Sequence, residues 1–92
     1  MPAVYLSDRL VPGKSVQWKF HLTKHRRLDL WQRTKYFSIA AFKAEDIPSG
    51  SLLVLDGANP RVNDLLGPGR CALVHVVTDV ADAPAAAILR KN

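Results

Sequence analysis

Apolar and polar residues alternate over residues 16–22, and this is the clearest pattern in the chain. Val16, Trp18, Phe20 and Leu22 are interleaved with Gln17, Lys19 and His21. A period of two residues is typical of a strand with one buried and one solvated face. The pattern therefore predicts a strand that is apolar on one side and cationic on the other, with Trp18 in the core.

Shorter patterns predict the remaining elements. Further strands are predicted at residues 36–42, 51–55 and 70–80, with a short edge strand at Val4 and Leu6. Asp29 is predicted to cap one helical turn, and the tail after Pro84 is predicted as a helical turn or a last strand. Together with the Gly/Pro turns, these elements predict a mainly β fold with one or two short helices, as a small β-barrel. A β-sandwich is the alternative.

The chain has 92 residues, which is the size of one domain. We divide it into a lead-in segment (1–13), a barrel core (14–80) and a C-terminal tail or short helix (81–92). The apolar runs are too short to span a bilayer and no signal peptide is visible, so we expect a cytoplasmic protein without a membrane partner. The single cysteine, Cys71, excludes an internal disulfide and fits a reducing compartment.

Charge is distributed unevenly along the chain, whose net charge is +5. Residues 14–43 contain eight Lys or Arg residues against one acid, Asp29, whereas residues 44–89 contain two Arg residues against six acids. Such asymmetry points to a polyanionic partner, either nucleic acid or an acidic protein surface. The alternative is a solvated basic face that folds back against the acidic half of the chain.

Aromatic residues lie among these cations, which is typical of surfaces that bind single-stranded nucleic acid. Cations would contact phosphates, Trp31 and Tyr36 would stack on bases, and Arg70 would lie at the rim. The predicted binding residues are Lys19, Lys24, Arg26, Arg27, Trp31, Arg33, Lys35, Tyr36 and Arg70.

Residues that could carry catalysis or bind a metal are sparse. The three histidines and Cys71 lack the paired spacing of zinc ligands, so we predict no metal site and no cofactor. A dyad of Cys71 with His75 or His21 has no obvious orienting carboxylate. The pattern favours a binding domain without catalytic residues over an enzyme.

Three segments of the chain carry a family resemblance: residues 43–55, Gly69-Arg70 with the strand that follows, and residues 21–24. They resemble ASCH-type domains of the PUA-like superfamily, and are most similar to the small domains of this kind in phages and bacteria. The resemblance covers about residues 16–80. It implies a compact β-barrel with an RNA- or nucleotide-binding surface. The chain has Gly50-Ser51 where the family has Gly-Asp, and it lacks the Gly-x-Lys-Thr-x-Glu-x-Arg signature, which argues against the hydrolase activity of some relatives.

Three functions remain open at this point. The first is a non-enzymatic domain that binds RNA or single-stranded nucleic acid through the surface around residues 19–35. The second is a small inhibitor or adaptor, possibly phage-encoded, that docks on a larger protein or ribonucleoprotein. The third is an enzyme acting on a modified nucleoside, for which Thr34, Lys35 and Glu45 are the candidate residues.

Overall fold

A computed structural model describes residues 1–8, 16–56, 62, 64, 67 and 69–90. Within these residues there are five strands: β1 (Ala3–Ser7), β2 (Thr34–Ser38), β3 (Leu52–Leu55), β4 (Ala72–His75) and β5 (Val80–Ala81). The helices are α1 (Val16–Lys24), α2 (Asp29–Arg33) and α3 (Ala83–Arg90), with a short 3-10 helix at Ala44–Asp46. None of the helices described is long and apolar enough to cross a membrane.

The strands form one mixed sheet in the order β2-β1-β3-β4-β5. β1 pairs in parallel with β2 and β3, β3 pairs in parallel with β4, and only β5 runs antiparallel to its neighbour. The predicted mainly β barrel is therefore wrong, because this open sheet ends at β2 and β5 and carries helices. Parallel neighbours need crossover connections, and here α1 and α2 lie on the crossover from β1 to β2.

Each face of the sheet packs in its own hydrophobic cluster. The helix-bearing face contains side chains of α1, α2 and α3 over Tyr5 and Val54. The opposite face packs Val4, Leu6 and Leu53 against residues of the segment between β2 and β3. Burial on both faces explains the continuous apolar runs of β1 and β3. The lead-in segment predicted from the sequence thus contains a central strand, Ala3–Ser7, and not the short edge strand predicted at Val4 and Leu6. Residues 9–13 of that segment lie outside the described residues.

The predicted strand over residues 16–22 is wrong, because this segment is α1. Its apolar residues satisfy two patterns at once. Trp18 and Leu22 are four residues apart and face the core, whereas Val16 and Phe20, also four apart, lie on the exposed side. The apolar residues that alternate with polar ones in the sequence therefore belong to two opposite sides of the helix, one buried and one exposed. Trp18 is fully buried as predicted, and its Nε1 donates a hydrogen bond to Thr34 Oγ1 at 3.0 Å.

Other elements agree with the sequence only in part. The apolar strand at residues 51–55 is confirmed as β3, and the tail after Pro84 is helical in α3. The helical turn at Asp29 is confirmed as α2, although its N-cap is Leu28. The single long strand at 70–80 is wrong, since a turn at 76–79 separates β4 from the antiparallel β5.

Candidate nucleic-acid interface

The basic loop between α1 and α2 has a defined backbone conformation. The Arg27 amide donates to Leu22 O at 2.8 Å and the Arg26 amide donates to Thr23 O at 3.2 Å, which is the Schellman ending of a helix. Arg26 occupies the left-handed position of this motif, with φ +57°. Glycine is the usual residue there, because a Cβ atom makes the conformation costly. The strained turn presents the Arg26 side chain to solvent.

Arg27 is anchored on two sides. Its Nη1 donates to Ile88 O in the last turn of α3 at 2.6 Å, so the cation lies at the negative end of that helix. Its Nε and Nη2 donate to the two carboxylate oxygens of Asp29 at 3.0 and 3.1 Å. These hydrogen bonds hold the pKa of Asp29 below its ordinary value and raise that of Arg27 above its own. Arg27 is therefore both a structural link and part of the basic surface.

Arg26, Arg27 and Arg33 line one open cleft of about 470 Å³, which we call the arginine cleft. Arg33 directly precedes β2 and Met1, which also lines the cleft, precedes β1, so the cleft lies at the amino-terminal edge of these strands. Among the described residues, Asp29 is the one acid that lines the cleft, and its carboxylate is paired with Arg27. Within the part of the chain that the structure describes, Arg26 and Arg33 have no carboxylate partner.

Lys19 and Lys24 lie on α1, on the same helix-bearing side of the molecule. Lys19 Nζ is 5.8 Å from the ring centroid of the half-buried Trp31, a cation–π contact that joins α1 to α2. Lys24 Nζ donates to Asp79 Oδ2 at 2.5 Å, in an exposed ion pair with the turn before β5. Of these two lysines, only Lys19 is without a carboxylate among the described residues.

The structure separates two predicted residues, Lys35 and Arg70, from this surface, whereas Tyr36 stays on the helix-bearing face. Lys35 pairs in register with Val4, which packs in the opposite cluster, so Lys35 projects from the other side of the sheet. Tyr36 lies beside Tyr5 with ring centroids 5.5 Å apart and is partly exposed on the helix-bearing face. Arg70 is half-buried, and its Nη2 donates to Ala44 O and Ile47 O at 3.2 and 2.9 Å, away from the arginine cleft.

The residues considered for catalysis are distributed over both faces of the sheet. Thr34 and Lys35 are neighbours in β2 and project to opposite faces, while the buried Thr34 hydroxyl donates to Leu30 O at 2.6 Å. Cys71 packs on the face of the sheet opposite to α1, the helix that carries His21, and burial raises the pKa of its thiol. Among the residues that the structure covers, no group of three or more His, Cys, Asp or Glu side chains could hold a metal ion.

A second polar region, which the sequence analysis did not single out, lies at the carboxyl ends of β1 and β3. The buried Ser7 Oγ donates to Asp56 Oδ2 at 2.7 Å, and Asp8 follows Ser7 in the chain. Burial and the charge of Asp56 raise the pKa of Tyr5. This edge is a topological switch point, where open α/β sheets often bind ligands. The signal for it was an aspartate after each of two apolar runs.

No protein-family model matches the sequence, and no curated protein or solved structure matches it either. The resemblance to ASCH-type domains therefore stays a prediction, and the barrel that it implies is not the fold of this chain.

Proposed function

We propose that this protein binds RNA or single-stranded nucleic acid, without catalysing a reaction, and that the arginine cleft holds the phosphates. The observation that carries the proposal is the gathering of three guanidinium groups around one open cleft, which has a single carboxylate among the described residues of its lining. Guanidinium groups suit phosphate because their N–H donors match two phosphate oxygens at once. A cytoplasmic location remains part of this proposal.

The geometry supports phosphate binding because part of the cleft is organised in advance. Arg27 is fixed by Ile88 O and Asp29, so little side-chain freedom remains to be lost on binding. Arg26 is held in a conformation that favours glycine, and such strain tends to occur at functional sites. Arg33 adds a second guanidinium without a carboxylate partner among the described residues.

The test compares two double variants that remove the same charge. Arg26→Ala/Arg33→Ala removes the two guanidinium groups without a carboxylate, whereas Lys35→Ala/Lys43→Ala removes two exposed lysines outside the cleft. The affinity for a twelve-nucleotide RNA is measured at several salt concentrations by fluorescence anisotropy. We expect the slope of log K against log salt to fall by about 1.4 in the arginine variant, at roughly 0.7 for each phosphate contact on a single strand.

The lysine variant should keep both affinity and slope close to those of the unmodified chain. Equal losses in the two variants would mean that net charge alone attracts the RNA, and would contradict a site at the arginine cleft. A chain that binds no RNA at low salt would contradict the whole proposal. The alternative of an inhibitor or adaptor would then gain support if an acidic protein or ribonucleoprotein bound instead.

A further inference from the structure

Phe20 is the most exposed large apolar side chain among the described residues. Its exposed fraction is 72%, although it lies in the middle of α1 between the buried Trp18 and Leu22. Val16, one helical turn earlier, is 47% exposed on the same side. Leaving an aromatic ring in water gives up the stabilisation that burial would bring, so an exposed phenylalanine is a candidate contact residue.

Phe20 lines two open grooves. One groove, of about 360 Å³, is lined by Phe20 with Val16, Lys19 and Thr23. The other, of about 210 Å³, is lined by Phe20 with Lys24, and by Gln17, His21, Val76 and Asp79. A flat group bound in either groove would therefore lie beside Phe20, and each groove also has a lysine in its lining.

The charged side chains around the Phe20 ring favour an anionic partner, because the nearby acids are already paired with cations. Asp79 is paired with Lys24 and His21, and Asp29 is paired with Arg27. Lys19, next to Phe20 in the chain, reaches over Trp31, and Trp31 lies in α2 two residues before Arg33 of the arginine cleft. A cationic side chain thus lies between the exposed ring and the helix that carries part of the cleft.

We propose that Phe20 stacks on an unpaired nucleobase of the strand whose phosphates lie in the arginine cleft, so that the protein selects single strands over duplexes. This inference rests on the proposed function. Aromatic rings stack on any unpaired base, whereas the faces of bases in a duplex are already covered by their neighbours. Trp31 and Tyr36, the stacking residues predicted from the sequence, are less open to a base: Trp31 is half-buried under Lys19, and Tyr36 packs on Tyr5.

The experiment measures the affinity for three probes: a twelve-nucleotide uridine strand, an abasic strand with the same phosphates, and an RNA duplex of twelve base pairs. Phe20→Ala should weaken binding of the uridine strand about 5- to 100-fold, as expected for one stacked base. The same variant should bind the abasic strand and the duplex as the unmodified chain does. Phe20→Trp should retain tight binding of the uridine strand, because indole also offers an aromatic face.

Val80→Ala is the matched control, since it shortens an exposed apolar side chain that lines neither groove. It should leave all three affinities unchanged. Equal losses for the uridine and abasic strands in Phe20→Ala, or no loss for either, would overturn stacking. If either result came with a clear loss of affinity for the uridine strand in Arg26→Ala/Arg33→Ala, the proposed function would stand and only the role of Phe20 would be wrong. A chain that binds none of the probes would overturn both proposals.

Discussion

Asp79 accepts a hydrogen bond from Nδ1 of the buried His21 at 2.6 Å, and this contact joins the turn between β4 and β5 to α1. Because a carboxylate only accepts, Nδ1 carries the proton, while Nε2 of His21 is buried with no hydrogen-bond partner in the structure as described. Asp79 also has a left-handed backbone, with φ +54°, which aspartate tolerates better than most residues. The pair therefore ties to α1 a turn that leads into a strand of two residues.

We expect Asp79→Ala to lower the free energy of unfolding by about 1–3 kcal/mol, because it leaves a buried imidazole N–H without an acceptor. Urea denaturation followed by circular dichroism measures the change. Lys24→Ala removes only the exposed ion pair to the same carboxylate, so it should cost less than about 1 kcal/mol. Equal losses in the two variants would show that the His21 contact contributes nothing beyond the ion pair.

Local signals in the sequence were enough for some elements and not for others. The run Leu52–Leu55 fits one kind of element, and its prediction as a strand is confirmed. The alanine-rich tail after Pro84 fits either a helical turn or a last strand, and the helix that its propensity favours is the one in the structure. α1 was predicted as a strand because alternation at residues 16–22 also fits two pairs of residues one helical turn apart. The parallel order of the sheet depends on crossovers between distant segments, and no local pattern encodes it.

The candidate site was predicted as a set of cations, but not as an arrangement. Arg26, Arg27 and Arg33 are close in the chain, and short local structure brings them together around one cleft. Lys35 was grouped with them although strand alternation turns it to the other face. Arg70 makes its contacts 23 and 26 residues away, so its position depends on the tertiary fold.

The pH dependence of stability should carry a contribution from His25. Its ring centroid is 4.8 Å from that of His21, and its pKa is lowered from 6.5 by burial first and then by the charges of His21 and Lys24, against a smaller opposing effect of Asp79. The unfolded chain therefore takes up a proton more readily than the folded one. This contribution to stability is present above pH 6.5 and is lost as the pH falls below that value.

We expect His25→Gln to reduce the loss of melting temperature between pH 7.5 and pH 5.5, measured by circular dichroism at fixed salt concentration. The lowered pKa of Asp79 acts only below that carboxyl group's ordinary range near 3.8, outside this interval. His75→Gln, a substitution on β4, is the control and should lose melting temperature as the unmodified chain does. The same loss in all three proteins would contradict the assignment to His25.

Arg26→Gly should separate stability from binding. Glycine adopts the left-handed conformation at the end of α1 without strain, so the free energy of unfolding should rise by about 1 kcal/mol. Removing one guanidinium group from the arginine cleft should at the same time weaken RNA binding and lower its salt dependence. Arg26→Ala, which keeps the strain, should weaken RNA binding equally without the gain in stability. Lower stability in Arg26→Gly would contradict the proposed cost of the turn.

Substitution of Arg70 should affect stability and not binding, because its side chain makes hydrogen bonds within the fold. Its Nη2 donates to two backbone carbonyls of the turn between β2 and β3, Ala44 O and Ile47 O. Arg70→Met keeps the apolar stem and removes these charged hydrogen bonds, so we expect the free energy of unfolding to fall by about 2 kcal/mol. Affinity for RNA should stay unchanged at a temperature where the variant is folded.

Arg33→Met should show the opposite pattern, with weaker RNA binding and nearly unchanged stability, because Arg33 is exposed in the arginine cleft. Weaker RNA binding by folded Arg70→Met would return Arg70 to the interface, as the sequence alone had predicted.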